Sequence, residues 1–522
     1  MNLIEAIDRF SPDPALREWV LSNMGKLAEQ TKRDAQTIAA NENAIKAADL
    51  KIQALTLELA YYKRIRFANK SEQFSPEQRE LFQESWNTDS SAIAAEVEDL
   101  ADKQSGKKSR PRAGRQPLPD HLPRIEHRHE PESCTCGKCG NALVKIGEDV
   151  SEQLDVEPAR FFVHRHIRPQ YACRQCETVK AEPVPPAIID GGLAAPGLLT
   201  WVMISKFADH LPLYRLEQIA ARQNVVLSRS TLADWVGRVG FALQPMVDRL
   251  RELLLKRAVL HADETPVAQL DPGAGKTRRA YLWSYRSNDL DCGPPIVVFD
   301  YQSGRSGSHA AAFLQGWTGH LMVDDYAGYK QLFEKEDIVE LGCWAHARRK
   351  FFELHAANKS PVAAEALKRI GKLYAIEGVV KDQSTDDRKV LREERAVPLL
   401  KELHAWLWET RKSVAEGSGT ARAIDYSLRR WAALIRYADS GHLPIDNNPV
   451  ENSIRPIAIG KKNWLFAGSE RAGRRAAAIQ SLIGTAKLNG LDPHAWLKDT
   501  LEKLPAWPNS RIDELLPLRI SK

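Results

Sequence analysis

The sequence predicts a multidomain α+β protein, and three observations predict it. An apolar heptad runs through the early part of the chain. Two Cys-x-x-Cys pairs stand 33 residues apart. From residue 257 the texture changes to short apolar strands in the order βββ-α-β-α-β, followed by a helix-rich stretch of about ninety residues. At 522 residues the chain is long enough for three or more units.

The heptad comes first. Ile38, Ile45, Ile52 and Leu59 recur every seven residues, with Ala48, Leu55 and Tyr62 three places after their predecessors. No Pro or Gly interrupts residues 27–62, so this reads as a short coiled coil and most simply as a dimerisation arm. The competing reading is an amphipathic helix lying on the chain's own core. Beyond it, an acidic stretch gives way to SGKKSRPRAGRQP, whose Pro, Gly, Ser and Lys/Arg content predicts a flexible basic linker.

Next come Cys136-Gly-Lys-Cys139 and Cys173-Arg-Gln-Cys176. Each knuckle turns two thiolates to one side, and two knuckles complete a tetrahedral sulfur site suited to zinc. The intervening EDVSEQLDVEPARFFVHRHIRPQYAC alternates as a β-hairpin does, so a zinc ribbon is expected. Four thiolates leave no open position, which makes the site structural. Cys134 is spare, and His127 and His129 are the competing ligands. Residues 196–256 read as helical, and LYRLEQIAARQNVVLSRSTLADWVGRVG has the rhythm helix, turn, helix, with Ser228 or Ser230 as N-cap. It is either a DNA-reading helix-turn-helix or two packed helices with no readout role.

The strands from residue 257 are laid down as in a ribonuclease-H-like sheet: three antiparallel strands, a crossover, then strands four and five. Strands one and four are then neighbours. An acid on strand one (Asp263, with Glu264 beside it) meets an acid at the end of strand four (Asp324 or Asp325), and a later helix supplies Glu451 from DNNPVENSIRP. Asn447 or Asn448 is expected to cap that helix, with Pro449 its first residue. Three hard oxygen ligands suit two Mg²⁺ ions, with Mn²⁺ an alternative, in a site that acts on phosphodiesters. The GKT within DPGAGKT is a turn, since the phosphate loop needs Gly where Leu270 stands.

The boundaries follow. Residues 1–84 form an N-terminal helical and coiled-coil region, 85–120 a flexible basic linker, 121–190 a zinc-binding domain and 191–256 a helix-turn-helix-like domain. The catalytic core occupies 257–351 and, after a helical insertion at 352–440, resumes at 441–480 with Glu451. A C-terminal helical region fills 481–522.

Charge is only mildly basic: Lys+Arg exceed Asp+Glu by 74 − 68 = 6. That permits an anionic partner without demanding one, so local clustering decides. Residues 455–475 carry Arg455, Lys461, Lys462, Arg471, Arg474 and Arg475 against the single acid Glu470. Lys461, Lys462, Arg474 and Arg475 are candidates for DNA-backbone contact, with Trp464 to stack on a base; a solvated basic face is the competing reading. His346 and Arg349, in CWAHARRKF, follow strand five as supporting residues. No run approaches the ~18 apolar residues of a membrane span and no signal pattern opens the chain, so a cytoplasmic location is expected.

Several motifs in order carry a family resemblance: RFANKSEQF, GRQPLPDHLPR, CGKCG…GEDVSEQLDV…YACRQC, HADETPV, DYAGY, GCWAHARRKF, NNPVENSIRP and SLIGTAKLNGLDPHAWL. With these the chain resembles the large transposase of the insertion sequence 66 family, a DDE transposase. The resemblance implies a triad of Asp263, Asp324 and Glu451. It selects Asp324 over Asp325, which stands where the family typically has glycine. It also implies cleavage of element ends in double-stranded DNA, joining of the freed 3′-hydroxyls to target DNA, and accessory proteins encoded beside the gene. Homo-oligomerisation through the coiled coil would accompany these. Two other readings compete: a non-catalytic zinc-containing DNA-binding regulator, and a structure-specific nuclease of the same fold.

Overall fold

The computed structural model describes Trp19, most of residues 23–52, and residues 118–519 apart from 119, 121, 132, 137, 158–159, 272–275 and 335–336. The chain divides into two compact units, 1–67 with 93–113, and 68–92 with 114–522. In the first unit the described residues of 23–52 are helical, and Ile38, Ile45 and Ile52 are 58%, 62% and 60% exposed. Leu55, Leu59 and Tyr62 of the heptad, the linker up to residue 117 and RFANKSEQF lie outside the described residues.

The second unit is mixed α+β with two sheets. The first sheet is built from β1 (Arg124–Arg128), β2 (Val144–Glu157), β3 (Arg160–Ala172) and β4 (Val179–Ala181). β2 and β3 form a long antiparallel hairpin, β1 runs parallel to β3, and β4 pairs antiparallel at the knuckle end. The two ends of the hairpin are held differently. Leu154, Val156, Phe161 and Val163 at the turn end enter the main hydrophobic core. At the other end only Cys136, Leu143 and Cys173 are buried together, too little apolar area to order that end by itself.

Four helices follow: α1 (Pro196–Phe207), α2 (Leu213–Ala221), α3 (Arg229–Ala242) and α4 (Gln244–Leu254). Ser228 caps α3, its side chain accepting from Thr231 N at 3.1 Å. The expected two-helix rhythm is present, but Leu232, Ala233, Trp235, Val236 and Val239 sink most of α3 into the core. Its first turn, the preceding loop, and Asp234 and Arg238 on the outer face remain partly open.

The second sheet has the order β7-β6-β5-β8-β9, with β5 (Val259–Leu270), β6 (Thr277–Ser287), β7 (Val297–Gln302), β8 (Gly319–Val323) and β9 (Ile338–Gly342). The first three strands are antiparallel, and β8 and β9 run parallel to β5. Strands one and four are thus paired, as the sequence order led us to expect. Between β7 and β8 lies α5 (Gly307–Phe313). The β7 edge is covered by α13 (Glu470–Leu488). There Ser481 Oγ accepts from Phe299 N at 2.8 Å, and Thr485 Oγ1 donates to Val297 O at 3.0 Å. These contacts satisfy backbone groups that an open edge would leave unpaired. Gly473 lets α13 approach, since a Cβ there would lie 2.4 Å from the Tyr301 ring.

After β9 the chain enters α6 (Trp344–Asn358) and a helical insertion: α7 (Pro361–Val380), α8 (Thr385–Leu391), a π turn at Arg392–Ala396, α9 (Val397–Lys412), α10 (Gly419–Arg429) and α11 (Trp431–Ile435). Its core, around Phe351, Ile370, Leu373, Leu400, Leu407 and Ile424, is continuous with Val259, Met322 and Leu341 of the sheet. The chain then returns to the sheet as α12 (Asn448–Trp464), and ends with α13 and α14 (Pro493–Lys503). Among the described residues no helix is long and apolar enough to cross a membrane.

Candidate active site

β8 pairs with β5 only over Val259–His261 against His320–Met322. Two residues beyond the His261–Met322 pair stand Asp263 and Asp324. The two-residue period of a strand puts Asp263 on the face of His261, and Asp324 follows immediately where β8 ends. The acids therefore emerge at one level, where the parallel pairing of β5 with β8 ends: Asp324 just past β8, and Asp263 within β5, which runs on to Leu270.

Glu451 arrives from 127 residues further on, and the fastening of its helix is specific. Asn447, fully buried, donates from Nδ2 to Ala262 O at 2.9 Å, and its Oδ1 lies 3.0 Å from His261 Nδ1. Its backbone N–H donates to Cys343 Sγ at 3.2 Å. Asn447 therefore does not cap α12 with its side chain, contrary to the expectation from sequence; its side chain is spent on β5 instead. Asp446 accepts from Asn448 N at 3.1 Å, and the helix begins at Asn448 with Pro449 next. The result pins the first turn of α12 beside Asp263.

Crowding of acids shows in their electrostatics. Burial pushes the Asp263 carboxyl up to about 8, reinforced by the charges of Glu264, Asp324 and Glu451. Glu451 Oε1 is buried without a hydrogen-bond partner, and Oε2 accepts from Arg349 at 3.1 Å. A buried carboxylate oxygen that makes no hydrogen bond, 3.6 Å from His346 Nδ1 and within the electrostatic reach of Asp263, can serve as a donor to a hard cation. The donor atoms that already converge within 4.8 Å of one another are those of Cys343, His346 and Glu451. Cys343 is no ligand of the hard-ion kind: burial pushes its thiol up to about 12, and its sulfur is occupied by Asn447 N. His346 Nδ1 lies 3.6 Å from Glu451 Oε1, so both supporting residues, His346 and Arg349, reach Glu451 from the start of α6.

The adjacent acids separate cleanly. Asp325 is paired with Arg430 at 2.9 Å, which ties the loop to the insertion. Asp324 Oδ1 accepts from Tyr326 N at 2.9 Å, and the residue lines an open cleft of about 1240 Å³ between the sheet edge and the insertion. Glu264 is committed elsewhere: Oε1 accepts from Arg305 Nε at 2.8 Å and Oε2 from Tyr329 OH at 2.8 Å.

The DNA-contact candidates fare unevenly. Lys462 is exposed. Lys461 donates to Pro266 O at 2.9 Å, and Arg474 pairs with Glu470 at 2.6 Å. Two candidates need correction. Trp464 is half-buried, packed against the cluster of Val267, Leu282, Tyr301 and Ile457, and lines a cavity of about 90 Å³. Much of its ring is spent on that packing and is not held out for a base. Arg475 is only 7% exposed, its stem lying against Gly240 at the α3–α13 contact. A run of charge along a sequence does not say which helix face each residue takes.

At the knuckles the sulfurs of Cys136, Cys139, Cys173 and Cys176 converge, with Sγ–Sγ distances of 3.2 Å (Cys136–Cys176), 3.6 Å (Cys139–Cys173) and 3.9 Å (Cys139–Cys176). A tetrahedron of Zn–S bonds of ~2.3 Å has edges of ~3.8 Å, so the four thiols fit zinc. Cys134 stands outside this cluster. His127 and His129 do not compete for it: they face His164 and His166 of β3 at 2.7 and 3.0 Å. The second His-x-His, His164 and His166 on β3, was a visible counterpart to His127 and His129, while nothing local marked Arg305 or the use of Asn447 on β5.

Sequence comparison adds an independent line. Residues 191–475 match the profile described as "Transposase IS66 family", and 133–177 match "zinc-finger binding domain of transposase IS66". Residues 481–518 match "IS66 C-terminal element", and 54–126 match "Transposase C of IS166 homeodomain". Among curated relatives, the uncharacterized protein y4qI of Sinorhizobium fredii is 38% identical over 90% of this chain and 90% of its own. The uncharacterized protein y4jD of the same organism is 39% identical over 77% of this chain and 81% of its own. The zinc-finger match and the four converging thiols together make the knuckles a structural zinc site.

Proposed function

The chain belongs to the IS66 family of transposases, DNA-processing proteins, and we propose that it cuts its element's ends and joins the freed 3′-hydroxyls to target DNA at Asp263, Asp324 and Glu451. The observation that carries this reading is the pairing of β5 with β8, which brings Asp263 and Asp324 to one level, with Asn447 fastening the Glu451 helix to the same strand. The sheet order, three antiparallel strands with two parallel ones beside the first, supports a ribonuclease-H-like core.

Asp263, Asp324 and Glu451 would hold two Mg²⁺ ions, which supply positive charge to the phosphate and lower the pKa of the attacking hydroxyl. The protein's own part is positional. Burial and the neighbouring acids disfavour the charged form of Asp263 unless a cation lies beside it, and Arg349 and His346 orient Glu451. The open cleft beside Asp324 admits a DNA strand. Water as nucleophile gives end cleavage; a DNA 3′-hydroxyl in the same position gives strand transfer. In this reading exposed Lys462 is the first candidate for DNA-backbone contact, with Lys461 and Arg474, held by Pro266 O and Glu470, behind it.

The exposed Ile38, Ile45 and Ile52 support pairing of the N-terminal helix with a second copy as a coiled coil. Accessory proteins of the element belong to the same reading. The test is a strand-transfer assay in Mg²⁺ on duplexes ending in the inverted repeats that flank the coding region. Wild type should give joined products and Glu451→Gln none. Joining by Glu451→Gln would sink the reading, and nicking without joining would favour a nuclease.

A further inference from the structure

Glu264 poses a problem that the catalytic triad does not answer. Its side chain is only 1% exposed, and it lies within the electrostatic reach of Asp263 and Asp324, in a place already crowded with negative charge. Burying another carboxylate there is costly unless it is paired and hydrogen-bonded. Both its oxygens are in use. Oε1 accepts from two nitrogens of the Arg305 guanidinium, and Oε2 from the Tyr329 hydroxyl. A metal ion at Glu264 would have to displace or face that guanidinium.

Arg305 is held from three sides. It lies in the loop between β7 and α5, and Glu264 grips its Nε and one terminal nitrogen. Its guanidinium stacks on the Tyr326 ring at 3.8 Å, and the Tyr326 hydroxyl donates to its backbone carbonyl. Tyr326 in turn donates its backbone N–H to Asp324 at 2.9 Å. Arg305, Tyr326 and Asp324 thus form one connected unit, and all three line the same cleft. The Arg305 side chain remains 43% exposed, so a gripped, flat guanidinium still turns a terminal nitrogen to the space beside Asp324. A planar fork fixed in this way suits the non-bridging oxygens of a phosphate.

We infer that Arg305 contacts the DNA phosphate at or next to the one being cut, and that Glu264 is its positioning residue and not a metal ligand. This rests on the active-site reading above. An acid beside the first triad residue is then explained: it holds a cation against the cleft wall without neutralising the metal ligands themselves.

The experiment uses the full-length protein and a duplex ending in the flanking inverted repeat. Arg305→Ala should lower single-turnover cleavage by about 10²–10³, the cost of losing one charged donor to the reacting group. It should also reduce the slope of log binding constant against log salt by about one. Glu264→Gln should reproduce the salt-slope change while leaving the Mg²⁺ concentration for half-maximal cleavage unchanged. If Glu264→Gln instead raises that Mg²⁺ requirement tenfold or more with the salt slope intact, Glu264 is a ligand and the inference is overturned. Unchanged cleavage and slope in Arg305→Ala overturn it as well. Should Arg305→Ala fail to fold, Arg305→Lys serves: it keeps the charge and loses the fork, so the slope should hold while cleavage falls, and full activity would count against the fork. Failure of the underlying reading appears separately, as a wild type that does not cut or an Asp324→Asn that does.

Discussion

Arg392 offers the sharpest test of how the insertion supports the active site. It is fully buried in the π turn between α8 and α9. Its Nε and one terminal nitrogen bind Glu377 at 2.9 and 2.6 Å, and the other donates to the carbonyls of Tyr437, Ser440 and Leu443 at 2.8, 2.6 and 2.9 Å. Those carbonyls belong to the segment that leads back into Asp446 and Asn447. Arg392→Met keeps most of the volume and removes every one of these bonds. Orphaning the Glu377 carboxylate, whose side chain is 16% exposed, should cost about 3–5 kcal/mol. Ser440 O keeps Leu443 N at 3.4 Å, and the two carbonyls left without donors add roughly 1 kcal/mol each at the low end. The sum, roughly 5–7 kcal/mol, rivals the whole stability of a typical domain.

The loss should concentrate in the insertion and the segment behind it, because the insertion's helices supply most of the cluster they share with Val259, Met322 and Leu341 of the sheet. Hydrogen exchange resolves it where a global melt would not. Peptides covering residues 436–447 and α6 should lose protection in Arg392→Met, while β5–β7 stay protected. DNA cleavage should fall with them, since Asn447 is reached through this segment. A second variant separates charge from hydrogen bonding. Adding Glu377→Leu removes the stranded carboxylate and should recover roughly 2–4 kcal/mol, though not the carbonyl contribution. A loss under about 1 kcal/mol in the single variant, or a double variant no better than the single, would refute the reasoning.

Three further outcomes are expected. Cys173→Ser, or zinc removal by a chelator, should release the knuckle end of the first sheet to exchange, while Leu154–Val163 stay protected by the main core; uniform unfolding of both ends would contradict the division described here. His166 is pushed down to about 4, first by burial and then by the charges of His127, His129, His164 and Arg168. An unfolded His binds its proton near 6.5 and the folded one only near 4, so hairpin stability should fall as pH drops through that window, and His166→Gln should flatten the fall in a pH series of exchange rates. Asn447→Ala strands Ala262 O and His261 and should cost about 1–3 kcal/mol, with a drop in cleavage larger than stability accounts for; activity at the wild-type level would remove Asn447 from the positioning scheme.

How much of this was legible beforehand depends on the range of the signal. Zinc ligation was readable because Cys-x-x-Cys is local and repeated, and the second sheet because alternation and turn residues mark each strand. Strand order then followed from chain connectivity, which brought Asp263 to Asp324 without any contact being known. The Ser228 cap was readable for the same local reason. Illegible were the choices that depend on partners far along the chain. Asn447 had every mark of an N-cap, and only a strand 185 residues away reveals why its side chain is used otherwise. Trp464 and Arg475 had every mark of a nucleic-acid face, and only the packing of α12 and α13 on the sheet turns them inward. Asp325, in a glycine's place, could not be interpreted until Arg430 appeared opposite it from the insertion.

These failures share a cause that bears on the site itself. A carboxylate or guanidinium has strong local preferences, such as helix ends, turns and solvated faces, and these suffice to explain it until a distant partner is seen. Glu451 is the extreme case. In the first turn of α12 it is favoured by the helix dipole alone. Its surroundings argue otherwise: one oxygen is buried without a partner, beside an Asp263 whose charged form the site already disfavours. A helix dipole accounts for an acid that is exposed and content. It does not by itself account for one whose Oε1 is buried 3.6 Å from His346, whose Oε2 is paired with Arg349, and whose helix a buried asparagine fastens to β5.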